Sequence, residues 1–363
     1  MADLVIQPDV RFIQEVTRAG GGDLKKCFQC ATCSTVCTLS PAEHPFPRKQ
    51  MIEAQWGLKE RVLGDPAIWL CHNCGDCTEK CPRGARPGDV FGALRQKAIE
   101  YFAWPRFMGR LVNSPRALVV LALLPALLFA LQWTMGPEGE SVNPGEIEFA
   151  NEYPLPLVEI FFFTVSGLVI FSFIVGVSRF VKAMHAHGAT EPILANLLPV
   201  ITETISHKNF RDCGPNRPRY LGHLLTMWGF LGLGVVGTVI GIGVMAGLLE
   251  TPLATFSPLK IFANVCALTI LAGVVALLNE RLGNPEKRAR STEFEWFFLV
   301  LLAAIVVTGF LSQCLRLGQT PVMYPVYYTH LVLIFMLFVY APYSKLAHLV
   351  YRTVAMAAMR KAK

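Results

Sequence analysis

Charged side chains are scarce in this chain of 363 residues. Asp, Glu, Lys and Arg together make up 16%, whereas apolar residues make up 53%. Soluble domains carry about 25% charged residues. So little charge, with so many apolar residues, excludes a disordered chain and argues against an ordinary soluble protein. The composition is instead typical of a protein whose helices span a membrane.

The chain also lacks an apolar leader, because its first 18 residues are mixed and charged. We therefore expect no export signal, so that the cysteines lie in a reducing compartment. Eight of the 11 cysteines lie before residue 82. A disulfide framework is accordingly disfavoured, and these thiols are better explained as metal ligands.

Six apolar stretches follow the polar head of the chain. We predict an all-α protein, in which a helical two-cluster ferredoxin domain (1–115) precedes a six-span transmembrane bundle of the cytochrome b type (116–363). The first stretch is short and contains Pro125, so a helix lying in the membrane interface is the alternative there. The predicted spans are 117–133, 155–180, 221–249, 259–278, 294–311 and 327–349.

Lysine and arginine are missing from the loops 136–154 and 250–257 but are frequent in the alternate loops and after the last span. By the positive-inside rule, the head and both termini lie in the cytoplasm of a multi-pass inner-membrane protein. The net charge of +7 therefore indicates membrane topology, and we expect the lipid bilayer, not nucleic acid, as a partner.

Two cysteine runs share the spacing C-x2-C-x2-C-x3-C. Three thiolates of such a run reach one [4Fe–4S] cluster, while the fourth is carried to the neighbouring cluster. Structural zinc is the alternative, but a zinc site needs only four ligands and does not require a third cysteine directly after a C-x2-C pair. We predict crossed ligation, with one cluster on Cys27, Cys30, Cys33 and Cys81 and the other on Cys71, Cys74, Cys77 and Cys37.

Histidines in the predicted spans point to haem, because an imidazole in a membrane is costly and rare. His330 and His348 are 18 residues apart, which is five turns of one helix, so we expect them on one face near opposite membrane surfaces. His223 has the predicted depth of His348, and we pair these two as axial ligands of a haem b. Structurally satisfied histidines are the alternative. The predicted partners of the haem propionates are Arg217, Arg219 and Arg352.

Three further features of the sequence bear on packing and on possible ligands. Trp56 and Trp69 are expected in the core of the head, and Gly232, Gly234 and Gly237 suggest close packing of the third span. Cys213 lies outside both cysteine runs, and its role stays open.

Several segments resemble known respiratory proteins. The segment from His330 to His348 resembles the last helix of the gamma subunit of respiratory nitrate reductase, a cytochrome b. The head, with Ile68-Trp69-Leu70-Cys71 and both cysteine runs, resembles the C subunit of heterodisulfide reductase, and 207–230 resembles the membrane-bound E subunit of the same system. Their fusion in this order is similar to the family of C subunits of the quinone-interacting membrane-bound oxidoreductase complex of sulfate-reducing microbes.

This resemblance implies two haems b, a menaquinone site, and cytosolic flavin- and iron–sulfur-containing partner subunits that connect to adenylylsulfate reductase. In the nitrate reductase pattern, the helix that matches the third span carries a second histidine ten residues after the first. The first corresponds to His223, and ten residues later this chain has Leu233. His330 consequently has no histidine partner at its depth. Either its second ligand is not histidine, or the segment of His207 lies deeper and supplies one, or a single haem is bound and His330 helps to bind quinol.

The resulting hypothesis is an electron conduit from menaquinol through haem b and two [4Fe–4S] clusters to a soluble partner. Glu159 would accept a quinol proton, and Tyr328 and His330 would bind the quinone, although interfacial anchoring is the simpler role of the tyrosine. Two alternatives stay open: a heterodisulfide reductase-type or sulfite-reduction-linked subunit working in the opposite direction, and a non-catalytic membrane anchor.

Overall fold

The computed structural model describes residues 7–134, 145–153, 155–189, 191–207, 217–283 and 293–360. Within these ranges the regular structure is helical and no strand occurs, as the predicted all-α class requires. The helices are α1 Val10–Arg18, α2 Thr32–Thr35, α3 Arg48–Gln55, α4 Lys59–Gly64, α5 Ala67–Leu70, α6 Asp76–Glu79, α7 Pro87–Phe102, α8 Arg106–Val112, α9 Leu118–Thr134, α10 Leu155–Ala186, α11 Ile193–Ser206, α12 Arg217–Met245, α13 Pro258–Leu282, α14 Glu293–Leu317, α15 Met323–Val339 and α16 His348–Met359.

The chain divides into two compact units. The head unit comprises Met1–Asn113, Phe171–Asn216 and Pro342–Lys363, and the body unit comprises Ser114–Ile170 and Arg217–Ala341. The head unit thus includes two segments that the boundary at residue 115 assigns to the membrane domain. They join it because α16 packs on α5 and α11, so that its apolar side is covered by the head.

Aromatic side chains fill the core of the head unit. Trp69 is 1% exposed and stacks on Tyr351 at a centroid distance of 5.3 Å, while Phe180 meets the Trp69 ring edge-on at 6.1 Å. Burying such a ring contributes about 1.5–3 kcal/mol, and aromatic pairing adds about 1 kcal/mol. The expectation for Trp69 is confirmed. That for Trp56 is wrong, because this side chain is 54% exposed.

The predicted sixth span is wrong as one continuous helix. Helix α15 ends at Val339, two short 3₁₀ turns occupy Ala341–Tyr343 and Lys345–Ala347, and α16 begins at His348. Pro342 lacks the N–H that a continuing helix requires, and the Ser344 hydroxyl accepts a hydrogen bond from the Leu346 N–H at 3.2 Å. His330 and His348 therefore lie on different helices, and the argument from five helical turns does not hold.

Four described helices are long and apolar enough to cross a membrane. They cover Leu157–Ala186, Arg219–Met245, Pro258–Leu282 and Glu295–Leu317. Helices α9 and α15 are also apolar, but each has 17 residues, slightly fewer than the roughly 20 that a bilayer core requires. The described residues thus contain four membrane-length helices where six spans were expected.

Small residues let α12 and α13 approach closely. A Cβ atom at Gly229 would lie 2.6 Å from the Cys266 carbonyl oxygen, and one at Gly232 would overlap the Cys266 sulfur. Gly234 and Gly237 have nothing within 4 Å of such a Cβ. The expectation of close packing is confirmed for Gly232 only, because the other two glycines lie off the contact face.

Candidate iron–sulfur and histidine sites

The two cysteine loops repeat one backbone course. The residue two positions after the first cysteine has a positive φ in both loops, 62° at Gln29 and 54° at Asn73. The residue after the second cysteine does as well, with 69° at Ala31 and 101° at Gly75. These last two residues are the N-caps of α2 and α6, the short helices that carry the third cysteine of each run.

The first set of thiols gathers Cys27, Cys30, Cys33 and Cys81. Burial raises the pKa of Cys27, and repulsion by Cys81 and Cys30 raises it further. Burial also raises the pKa of Cys33 to about 11, with Cys27 and Cys30 adding to the shift. The Cys30 thiol is exposed, and its hydrogen bond with the Thr32 hydroxyl lowers its pKa.

The second set gathers Cys71, Cys74, Cys77 and Cys37. These cysteines line one pocket, which His72 and Phe91 complete. Burial raises the pKa of Cys77 to about 12, and repulsion by the other three thiols of the set and by Cys33 contributes. The interaction between Cys77 and Cys33 shows that the two sets are neighbours. The last cysteine of each run thus lies near the thiols of the other run.

The donor sets fit two iron–sulfur clusters. Buried thiols that repel each other stay protonated unless positive charge compensates them, and iron supplies that charge. Within the described ranges, no three His, Cys, Asp or Glu side chains are placed to hold a single metal ion. Two sets of four cysteines are the donors that two [4Fe–4S] cubanes require.

Two arginines bind the second cysteine loop. The Cys71 carbonyl accepts hydrogen bonds from Arg95 Nη1 at 2.7 Å and from Arg352 Nη1 at 3.3 Å. Arg352 Nη2 also donates to His72 Nε2 at 2.7 Å and to the Leu70 carbonyl at 3.4 Å. The sequence predicted Arg352 as a partner of a haem propionate, because no local motif connects residues 281 positions apart. Arg95 was not predicted either, since no motif marks a contact between residues 24 positions apart on different elements.

Two predicted haem residues lie in the head unit. His348 Nδ1 donates to the Lys345 carbonyl, and His207 Nδ1 lies 3.3 Å from the Ile205 carbonyl oxygen. Burial lowers the pKa of His207, and the positive charge of Arg352 lowers it further. His223 belongs to α12 of the body unit, so its pairing with His348 stays a prediction.

His330 is held between α14 and α15 of the body unit. Its Nδ1 lies 2.9 Å from the Thr308 hydroxyl oxygen, and Gly309 leaves room for the ring. The Thr308 hydroxyl already donates its proton to the Ala304 carbonyl at 2.7 Å, so it accepts the Nδ1–H of His330. The Nε2 atom then carries the lone pair, which is the tautomer that an axial ligand needs.

The other predicted site residues lie on separate helices or outside the described residues. The Tyr328 hydroxyl donates to the Ala126 carbonyl at 2.7 Å, which joins α15 to α9. Glu159 is half-buried on α10, and Arg219 lies near the start of α12. The side chain of Arg217 and all of Cys213 lie outside the described residues.

Residues 23–85 match the model of a 4Fe–4S dicluster domain. This match and the gathered cysteines establish the head as an iron–sulfur electron-transfer domain that carries [4Fe–4S] clusters. The predicted zinc alternative is thereby set aside.

Individual relatives refine this class. The head is 40% identical over 93 residues to the C subunit of the H(2):CoB-CoM heterodisulfide,ferredoxin reductase of Methanothermobacter thermautotrophicus, covering 25% of this chain and 50% of that protein. It is 34% identical over 94 residues to a protein of Archaeoglobus profundus named as similar to the heterodisulfide reductase C subunit, with 26% and 50% covered. The chain spans about half the length of these relatives. Citrate utilization protein B of Escherichia coli is 27% identical over 349 residues, 91% of this chain and 88% of that protein.

Proposed function

We propose that this chain is the membrane electron-transfer subunit of a quinone-dependent oxidoreductase complex. The observation that carries the proposal is the combination, in one chain, of a dicluster head, four membrane-length helices and two apolar helices that bear histidines. An anchor has no need of His223 and His330 within apolar helices, where imidazoles are costly. The bound cofactors would supply one-electron chemistry between the membrane and a soluble partner.

The residues of this chain would hold those cofactors in three places. Eight cysteines would ligate two [4Fe–4S] clusters in crossed sets, and His223 and His348 would ligate a haem b. His330, oriented by Thr308, would serve a second haem b or the quinone. Propionate contacts would come from Arg217 and Arg219. We favour two haems and a body of six spans, with α9 and α15 completing the bundle.

Menaquinol is the proposed electron donor in the membrane. Glu159 would accept a proton released from the quinol, with Tyr328 and His330 binding its oxygens. The head and both termini would face the cytoplasm, where flavin- and iron–sulfur-containing subunits receive the electrons and pass them to adenylylsulfate reductase. The reverse direction would make the same chain a quinone reductase.

The exit toward the soluble partner would lie at the first cysteine loop. Cys30 is exposed there, and the adjacent Phe28 side chain is 65% exposed. The Arg83 guanidinium stacks over the Phe28 ring at 4.1 Å. An exposed aromatic ring paired with a cation, next to a cluster ligand, suits docking of a cytosolic redox protein whose surface is acidic.

The test is a visible difference spectrum of the purified complex after addition of a menaquinol analogue, with haem b quantified on the same sample. A reduced b-type band at about one or two haems per chain is expected. Intact clusters with no haem would overturn the quinol-coupled function and leave a membrane anchor.

Thr308→Val sharpens this test because it removes the acceptor of the His330 Nδ1–H. Loss of such an orienting contact typically weakens metal ligation about 10–100-fold. We expect less haem, or a shifted haem spectrum, with cluster content unchanged. Thr238→Val is the matched control, because the Thr238 hydroxyl is exposed and donates to the Gly234 carbonyl of the preceding turn.

The relative that matches along nearly the whole chain favours a second candidate. Its name refers to citrate utilization, so the cytosolic partner would then oxidise an organic acid and send electrons into the quinone pool. The two candidates can be distinguished by copurifying the partner with this chain and testing which substrate reduces the clusters.

A further inference from the structure

A positively charged side chain of α16 is hydrogen-bonded to the second cysteine loop. The Cys71 carbonyl accepts from two guanidinium groups, those of Arg95 on α7 and Arg352 on α16. Arginine is always protonated, so both groups bring a full positive charge to the backbone of a cluster ligand. The first loop is bound in a different way, because Gln29 and Gln55 contact Cys27 through neutral amides.

Arg352 also orients His72. A guanidinium can only donate, so the His72 Nε2 atom accepts the 2.7 Å hydrogen bond from Arg352 Nη2. With Leu70, Cys71 and His72 all bound to one side chain, three consecutive residues at the start of the second loop are held in place. His72 and Cys71 line the pocket of the second cysteine set.

We propose that Arg352 and Arg95 together set the redox potential of the second cluster. Arg352 also holds Cys71 and His72 in position beside that cluster. Reduction by one electron adds a negative charge to a cluster that is already anionic with its four thiolates. A nearby positive charge stabilises the reduced form and raises the midpoint potential. This inference rests on the proposed electron-transfer function but concerns the cluster alone.

The first measurement is an EPR-monitored redox titration of the full-length protein in its complex, with dithionite as reductant. Arg352→Gln should lower the midpoint of the cluster whose signal Cys77→Ser removes, and leave the other midpoint in place. A tenfold lower ratio of reduced to oxidised cluster at a given potential corresponds to 59 mV for one electron, and we expect a shift of about this size. Arg352→Lys, which keeps the charge but loses the fork, should shift the midpoint less.

Two controls make the result specific. Arg360→Gln removes a charge from the C-terminal end of α16, where Arg360 pairs with Glu203 at 3.0 Å, and it should move neither midpoint. Arg48→Gln should lower only the other midpoint, because the Arg48 charge acts on Cys27 and Cys30 of the first set.

The proposal is overturned if Arg352→Gln moves neither midpoint, or moves both equally, while the iron content stays at the parent level. It is also overturned if Arg360→Gln gives the same shift. Because dithionite replaces the quinol, a shifted midpoint without quinol-dependent reduction would sink the proposed function and keep this inference. Normal quinol-dependent reduction with an unmoved midpoint would overturn this inference and leave the proposed function standing.

Discussion

The two cysteine loops have the same spacing and the same left-handed positions, yet their surroundings differ. The first loop exposes Cys30 and Phe28, whereas the second is bound by Arg95 and Arg352 and backed by the buried Trp69–Tyr351 stack. Local spacing therefore specifies how a loop wraps its ligands. The rest of the fold specifies which loop meets solvent and which loop has guanidinium groups hydrogen-bonded to its backbone.

The largest effects come from changing cluster ligands, and they test whether the loops are crossed. Cys37→Ser should remove the same cluster as Cys77→Ser, although Cys37 belongs to the first run. Iron per chain should fall from about eight to about four in both variants, because each cluster loses one of its four thiolates. Iron analysis and EPR of the reduced protein measure this.

Cys314→Ala is the control, because Cys314 lies on α14, outside both sets, and its iron content should match the parent. If Cys37→Ser removed the cluster that Cys27→Ser removes, each run would ligate its own cluster and the crossing would be disproved.

Tyr351→Ala should destabilise the surroundings of the second loop more than those of the first. Removal of a buried ring that stacks on Trp69 costs about 3 kcal/mol. We expect the second cluster to be lost at a lower temperature than the first, which heating followed by EPR measures. Tyr351→Phe keeps the ring and should behave like the parent. Equal lability of both clusters in Tyr351→Ala would show that the stack supports the head as a whole.

Changes at Phe28 and Arg83 should affect the first loop alone. Phe28→Ala combined with Arg83→Glu should slow electron transfer to the soluble partner about tenfold, because an exposed aromatic anchor and a favourable charge are lost. Stopped-flow reduction of the partner measures this. Phe107→Ala, at a 63% exposed phenylalanine of α8, is the matched control. Unchanged transfer with full clusters would place the exit elsewhere.

The smallest effects test the left-handed positions after the second cysteines. Gly75→Ala should destabilise the head by about 1 kcal/mol, since a Cβ meets nothing within 4 Å there and only the φ of 101° is unfavourable. Ala31→Gly should stabilise it by about 0.5 kcal/mol, because relief of strain exceeds the added chain entropy. Cluster loss in guanidinium chloride measures both. Gly22→Ala, equally open but without a positive φ, should differ little from the parent, and a loss as large as that of Gly75→Ala would refute the conformational explanation.

Local features were predictable from the sequence. Cysteine spacing predicts that Cys37 lies near the second run and Cys81 near the first, as the structure places them, because it depends on a few consecutive residues. The contacts of Arg352 were not predictable, since they join residues 281 positions apart and no short pattern encodes them. The exposure of Trp56 was not predictable for a similar reason: Trp56 lies just after the short helix α3, and the local sequence does not say which face the rest of the head covers.

Helix continuity was the other limit of sequence reasoning. The apolar run from 327 to 349 has the composition of one span, but Pro342 and the Ser344 cap end it and divide it between α15 and α16. Hydropathy averages over such a break, so it counted a span where α15 has 17 residues. The glycine spacing on α12 likewise suggested close packing without indicating which of the glycines faces α13.

The position of α16 has a consequence for biogenesis. Tyr351 and Arg352 complete the core and the second cysteine loop of a domain whose other parts leave the ribosome long before them. During synthesis the head is therefore incomplete until the intervening apolar helices have been made. Maturation of the second cluster should follow insertion of the chain into the membrane, and ribosome-bound chains that stop before α16 should retain iron at the first cluster better than at the second.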